Sequence, residues 1–142
     1  MPATCGTTWS KTMSEVRALV AGHGSFAEGM ISAVRQIAGR DEIFVGVSNT
    51  DLSAQEVERL MREQLEASGA KVIFTDLPAG SCTMAARRLQ HADPALTVVL
   101  GANLAALLDF AFHAELEPRE AARRAAEKGR AALLVVGAES GA

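Results

Sequence analysis

One histidine stands out by its neighbours. The apolar run Ala18-Leu19-Val20-Ala21 leads into Gly22-His23-Gly24-Ser25, so the imidazole sits at the end of an expected strand with no bulky side chain beside it. The residues that follow, Ser25-Phe26-Ala27-Glu28, have the S-x-x-E spacing of a capping box and predict a helix start. A helix start presents free backbone N–H groups and a partial positive charge, which suits an anion such as phosphate. A nucleophile next to such a site points to phosphoryl transfer through histidine.

A second segment carries matching chemistry: Val72-Ile73-Phe74-Thr75 runs into Asp76-Leu77-Pro78-Ala79-Gly80-Ser81-Cys82-Thr83. A carboxylate on one ring nitrogen fixes the tautomer and orientation of a histidine and steadies charge on the ring, leaving the other nitrogen to attack phosphorus. Phosphoryl transfer otherwise needs positioning and donors for the equatorial oxygens. The Gly24 and Ser25 amides, the Gly80-Ser81 turn and the Ser81 and Thr83 hydroxyls are candidate phosphate-binding groups, with no metal or cofactor required. Ordinary roles compete at each position. Asp76 suits a turn, Ser81 an N-cap, and Thr83 is read as more structural than functional. Cys82 lies near a helix start that would lower its pKa, although a small turn-filling residue is the plainer reading. His91 and His113 fall near helix ends and have no ligand-type partner in sequence.

These residues need a scaffold that brings strand ends together. Short apolar runs at Ala18–Ala21, Ile43–Val47, Val72–Phe74 and Leu96–Leu100 suit strands covered on both faces, as in a parallel sheet. Helical periodicity fills the intervals: Phe26 to Ile37 ended by Gly39, Val57 to Leu65 after a Ser53/Glu56 box and ended by Gly69, Ser81 to Leu89 stopped by Asp93-Pro94, and Leu104 to Phe112 after Asn103. The pattern predicts a doubly wound α/β domain with a mainly parallel, flavodoxin-like sheet of order 2-1-3-4. In that arrangement the strand order reverses between strands 1 and 3, which brings His23 and Asp76 to one crevice. An Ala-rich helix from Pro118 to Lys128 follows, with a Glu120/Arg124 pair and Gly129 at its end. Ala131–Val136 then reads as a fifth strand, joining this sheet or that of a partner.

Composition narrows the classes. The 142 residues are 49% hydrophobic, enough for one domain with a buried core, and the net charge of −3 gives no sign of a nucleic-acid surface. No apolar run reaches the roughly 20 residues of a membrane helix, and no signal-peptide pattern opens the chain, so a cytoplasmic protein is expected. Two cysteines without CxxC spacing argue against a disulfide framework or a cysteine zinc site. Residues 1–13, polar and patternless, read as a disordered tail or an extension upstream of a start at Met13, leaving 14–142 as the single domain. A nucleotide- or flavin-binding module is the competing class. Against it, Gly22-His23-Gly24-Ser25 is neither G-x-G-x-x-G nor a Walker loop, and the chain has no tyrosine and one tryptophan for stacking.

Leu19 to Gly29, Asp76 to Ser81 and Gly101-Ala102-Asn103-Leu104 together resemble the mannose/fructose-type IIA components of the bacterial phosphoenolpyruvate-dependent sugar phosphotransferase system, over about residues 14–136. The resemblance implies that His23 accepts a phosphoryl group from phospho-HPr and passes it to a IIB component. It implies that Asp76 orients the histidine and that Ser81 contacts the phosphate. It further implies a homodimer whose C-terminal strand, here Leu133–Val136, lies antiparallel on the neighbour's sheet. Any link to a membrane sugar permease would be peripheral, and a stand-alone regulatory role read through phosphorylation state is the alternative. The family's common Gly-Gly-Ser-Pro turn is here Ala79-Gly80-Ser81-Cys82, which keeps the serine but loses a glycine and the proline.

Overall fold

Alternate residues of a strand face opposite sides of a sheet, and here both sides are buried. In the computed structural model, which describes residues 15–137, the five residues of β1 (Ala18–Gly22) are all buried. Ala18 and Val20 enter one apolar cluster, Leu19 and Ala21 the other. The remaining strands are β2 (Phe44–Ser48), β3 (Val72–Thr75) and β4 (Thr97–Val99). They pair in parallel in the order β2-β1-β3-β4, with Ala18 opposite both Phe44 and Val72, and Val72 opposite Thr97. This is the flavodoxin-like 2-1-3-4 arrangement expected from the alternating pattern.

Helices cover both faces. On one lie α1 (Phe26–Ala38), α4 (Leu104–Phe112) and α5 (Pro118–Ala131), packed through Ile31, Val34, Leu107, Phe110 and Ala121 onto Val20, Phe44 and Phe74. Phe44, Phe74 and Phe110 form a ring cluster with centroids 5.2–6.3 Å apart, at tilted or edge-on angles that favour aromatic contact. On the other face α2 (Ala54–Ser68) and α3 (Ser81–Ala92) pack Val57, Met61, Leu65, Ala85 and Leu89 onto Leu19, Val47 and Ile73.

Helix ends follow the local chemistry with two corrections. The Ser53 hydroxyl accepts from the Glu56 amide while the Glu56 carboxylate accepts from the Ser53 amide, a complete capping box. The matching box expected at Ser25 and Glu28 does not form: Ser25 occupies the N-cap of α1 but its side chain makes no capping bond. Its backbone sits outside the extended region that aims a hydroxyl at the helix amides (φ −97°, ψ 21°). Gly39 and Gly69 close α1 and α2 in the left-handed conformation. Gly129 does not end the last helix, which continues to Ala131 with Gly129 buried beside Asn103 and Ala106. Asn103 caps α4 through the Ala106 amide and also donates to the Gly129 carbonyl, tying α4 to α5. Glu120 pairs with Arg123 rather than Arg124, whose guanidinium turns inward to donate to His113 Nε2.

The fifth strand is absent from this chain's own sheet. Beyond α5, residues 133–136 form no strand, and Leu133, Leu134, Val135 and Val136 are 74–95% exposed. The expectations for residues 1–13 lie outside the described residues. Among the described residues no helix is long and apolar enough to cross a membrane.

Candidate phosphoryl-transfer site

The carboxyl ends of β1 and β3 are neighbours in the sheet, so the residues that follow them, His23 and Asp76, emerge side by side. One carboxylate oxygen does most of the work. Asp76 Oδ2 accepts from the His23 backbone N–H at 2.9 Å and lies 2.8 Å from His23 Nδ1. An ionised carboxylate only accepts, so in the neutral ring the proton sits on Nδ1 and Nε2 keeps its lone pair. The two partners differ sharply in exposure: the Asp76 side chain is 10% exposed and the His23 ring 52%. Burial pushes the Asp76 carboxyl up, but the hydrogen bonds from the His23 ring and amide outweigh it and hold the pKa below the ordinary 3.8. Asp76 is therefore charged at neutral pH and braces the ring from its buried side.

Gly22 makes this approach possible. A Cβ at position 22 would come 2.9 Å from Asp76 Cγ and Oδ2 and 2.7 Å from Phe26 Cδ2. Gly80 is the second essential glycine, at φ 114° at the N-cap of α3, where a Cβ would also come 3.2 Å from His23 Cε1 and 3.8 Å from Nε2. The free ring nitrogen thus lies beside the N-terminus of α3, whose first turn holds no acidic residue. Of the altered turn, Gly80 is the position that needs glycine. Ala79 has no left-handed backbone, and Cys82 takes a helical place buried in the core.

The remaining candidates separate. Ser81 opens α3 next to Gly80, and its hydroxyl oxygen accepts from Asn49 Nδ2 at 2.9 Å. Gly24 (φ 55°) and Ser25 lie exposed in the turn after His23, and the Gly24 carbonyl accepts from the Ser48 hydroxyl at 2.8 Å. Thr83 is corrected: it is 1% exposed, and its hydroxyl turns inward onto Thr75 Oγ1 (2.7 Å) and the Leu77 carbonyl (2.5 Å), so it braces the β3–α3 loop and cannot meet a ligand. Cys82 is also corrected, since burial and the nearby Asp76 charge raise its thiol to about 11 rather than lowering it. Among the described residues no three His, Cys, Asp or Glu side chains gather as a metal site.

Asn49, with Ser48 and Thr50, is the part of this site that the motifs did not reveal. It follows β2, the strand on the other side of β1, so the rule that drew attention to the ends of β1 and β3 applies equally there. Asn49 has no place in a familiar motif, and only the sheet order marks it.

Comparison with known proteins gives one family. Residues 17–127 match the family model EIIA-man, described as the phosphotransferase system fructose IIA component. A mannose/sorbose-specific IIA subunit from Enterococcus faecalis superposes with a TM-score of 0.74 at 22% identity, covering 87% of this chain and 96% of that one. A phosphotransferase system EIIA component from Streptococcus agalactiae gives 0.67 at 19% identity, with 80% and 94% covered. A putative sugar phosphotransferase system permease from Klebsiella pneumoniae gives 0.73 at 20% identity, with 84% and 89% covered. No curated protein sequence matched. The chain belongs to the mannose/fructose-type IIA family of phosphotransferase system components.

Proposed function

We propose that this chain carries a phosphoryl group on Nε2 of His23, taken from phospho-HPr and passed to a IIB component. The observation that carries the reading is the double hydrogen bond to Asp76 Oδ2, which leaves Nε2 exposed beside the N-terminus of α3. The Nε2 lone pair forms the new N–P bond as the bond from phosphorus to the donor's imidazole nitrogen breaks, that nitrogen keeping the electron pair. Positive charge develops on the His23 ring and is offset by the Asp76 carboxylate, with the proton staying on Nδ1. The transferred group is dianionic, and Gly80, Ser81 and the α3 amides lie where its oxygens arrive, with Gly24 and Ser25 flanking the other turn. The return step to IIB reverses this order on the same face.

The same reading assigns a homodimer. Four exposed apolar residues follow α5, and among the described residues β4 is a sheet edge with β3 as its single neighbour. A groove of about 910 Å³ runs beside that edge, lined by Met84, Arg87, Leu96, Val98, Leu100 and Arg119 among others, with His23 outside its lining. An antiparallel strand from a second copy, built from Leu133–Val136, satisfies both the edge and the apolar run.

Incubation with phosphoenolpyruvate, enzyme I and HPr, followed by intact mass, tests the carrier role. The expected product is one acid-labile phosphate per chain, absent from His23→Ala and formed slowly by Asp76→Ala. An unmodified wild-type chain alongside phosphorylated HPr refutes it. Light scattering tests the dimer, and a monomer that retains residues 133–136 refutes the exchange.

A further inference from the structure

The loop after β2 reaches across the end of β1 to both turns of the site. The Asn49 amide donates to the Gly22 carbonyl (3.3 Å), and its side-chain Nδ2 donates to Ser81 Oγ (2.9 Å). Ser48 Oγ donates to the Gly24 carbonyl (2.8 Å), lies 2.9 Å from Thr50 Oγ1 and accepts from the Thr50 amide (3.1 Å). A tight turn closes the loop, with the Leu52 amide on the Asn49 carbonyl (3.1 Å) and Asp51 in the left-handed region (φ 61°). Asn49 is therefore held from its backbone, and it is half-buried under the residue that opens α3.

We infer that Asn49 is a positioning residue for phosphoryl transfer, orienting the Ser81 hydroxyl toward the phosphoryl oxygens. The inference rests on the carrier role of His23 proposed above. A serine hydroxyl has one hydrogen and two lone pairs. An N–H donated by Asn49 fills one lone pair, fixes the oxygen, and leaves the hydroxyl hydrogen for an incoming anion. The same bond polarises the hydroxyl and makes it the better donor. An acceptor at position 49 would do the reverse and draw the hydrogen away from the phosphate.

Single-turnover phosphorylation by phospho-HPr, with thermal melts as a folding control, tests this in Asn49→Ala, Asn49→Asp, Ser81→Ala and the Asn49→Ala/Ser81→Ala double variant. Removing one preorganised donor slows such chemistry by about 10²-fold, the expectation for Ser81→Ala. Asn49→Ala is expected to slow the step about tenfold at saturating donor, as loss of a supporting partner does for metal ligands. Asn49→Asp, which keeps the shape but accepts instead of donating, is expected to be slower than Asn49→Ala. The double variant is expected to match Ser81→Ala, because Asn49 acts through that hydroxyl. Wild-type speed in Asn49→Ala, an Asn49→Asp variant as fast as wild type, or multiplying effects in the double variant overturns the inference while His23 still takes phosphate. A wild-type chain that takes none overturns the carrier reading itself.

Discussion

Gly22→Ala probes the site through its tightest contact. The added methyl would lie 2.9 Å from the Asp76 carboxylate, where ordinary van der Waals contact begins at 3.4 Å, so Asp76 must retreat by about half an ångström. The methyl must also push on the Phe26 ring, 2.7 Å away and packed against the core. Overpacking of this kind costs about 1–3 kcal/mol, which for a domain of this size lowers Tm by roughly 3–10 °C. The functional effect is the sharper one. A half-ångström retreat takes the 2.8 and 2.9 Å bonds from His23 to the edge of useful hydrogen bonding, and the ring loses its brace. A 1 Å misplacement can cost about 10²-fold in rate, so about tenfold slower phosphorylation of His23 is expected.

The assay pairs phosphorylation kinetics with nitrogen NMR of the His23 ring, which reads the Nδ1–H tautomer. Adding Phe26→Leu separates the two contacts, because the smaller side chain relieves the ring clash and recovers stability but leaves Asp76 displaced. Refutation is a Gly22→Ala chain that takes phosphate at the wild-type rate, or one whose rate returns when Phe26→Leu restores its Tm.

Four further outcomes follow from other residues. Asp76 has a folded pKa below its ordinary 3.8, so the unfolded chain binds more protons in that interval; its stabilisation is complete above about pH 4 and is lost as pH falls through the folded value. Acid titration of Asp76→Asn is expected to show a flatter stability decline below pH 4 than wild type, and superimposable acid limbs would contradict this. Gly29 is exposed in α1 with nothing within 4 Å of a would-be Cβ, so Gly29→Ala is expected to stabilise by about 0.5–1 kcal/mol in urea unfolding. Gly129→Ala has the opposite sign, about 1–3 kcal/mol destabilising, because its methyl would meet Asn103 Oδ1 at 2.8 Å and Ala106 Cβ at 2.9 Å. Cys82, buried and with its thiol raised to about 11, is expected to resist iodoacetamide at pH 7.5 until denaturant is added, as read by mass mapping of its peptide.

Much of the scaffold was legible because burial on both sheet faces leaves unbroken apolar runs, and glycine and S-x-x-E signals mark helix ends. Ser53 and Ser25 show where that reading stops. Both have the box spacing, but at Ser53 the backbone is extended (φ −74°, ψ 166°) and at Ser25 it is not. The tight turn after His23 sets that backbone, and spacing alone does not report it. The run Ala131–Val136 has strand composition, yet composition names no partner, and in a single chain α5 absorbs its first residue while the rest stands open.

Thr83 and Asn49 define the same boundary from opposite sides. Thr83 sits two residues from Ser81 in a helix, about 200° around the axis, so Ser81 can face the crevice only by sending Thr83 inward, toward Thr75 and the Leu77 carbonyl. Helical geometry alone turns it away from the crevice. Asn49 needed more: it lies 32 positions from Ser81, and their meeting depends on β2 flanking β1 while β3 flanks its other side. Once that order is assumed, every loop at the carboxyl ends of these three strands belongs to one crevice. The histidine, its carboxylate and the serine are then three corners of a site whose fourth is the amide after β2, and chemistry assigned to the first three without the fourth leaves the serine hydroxyl unaimed.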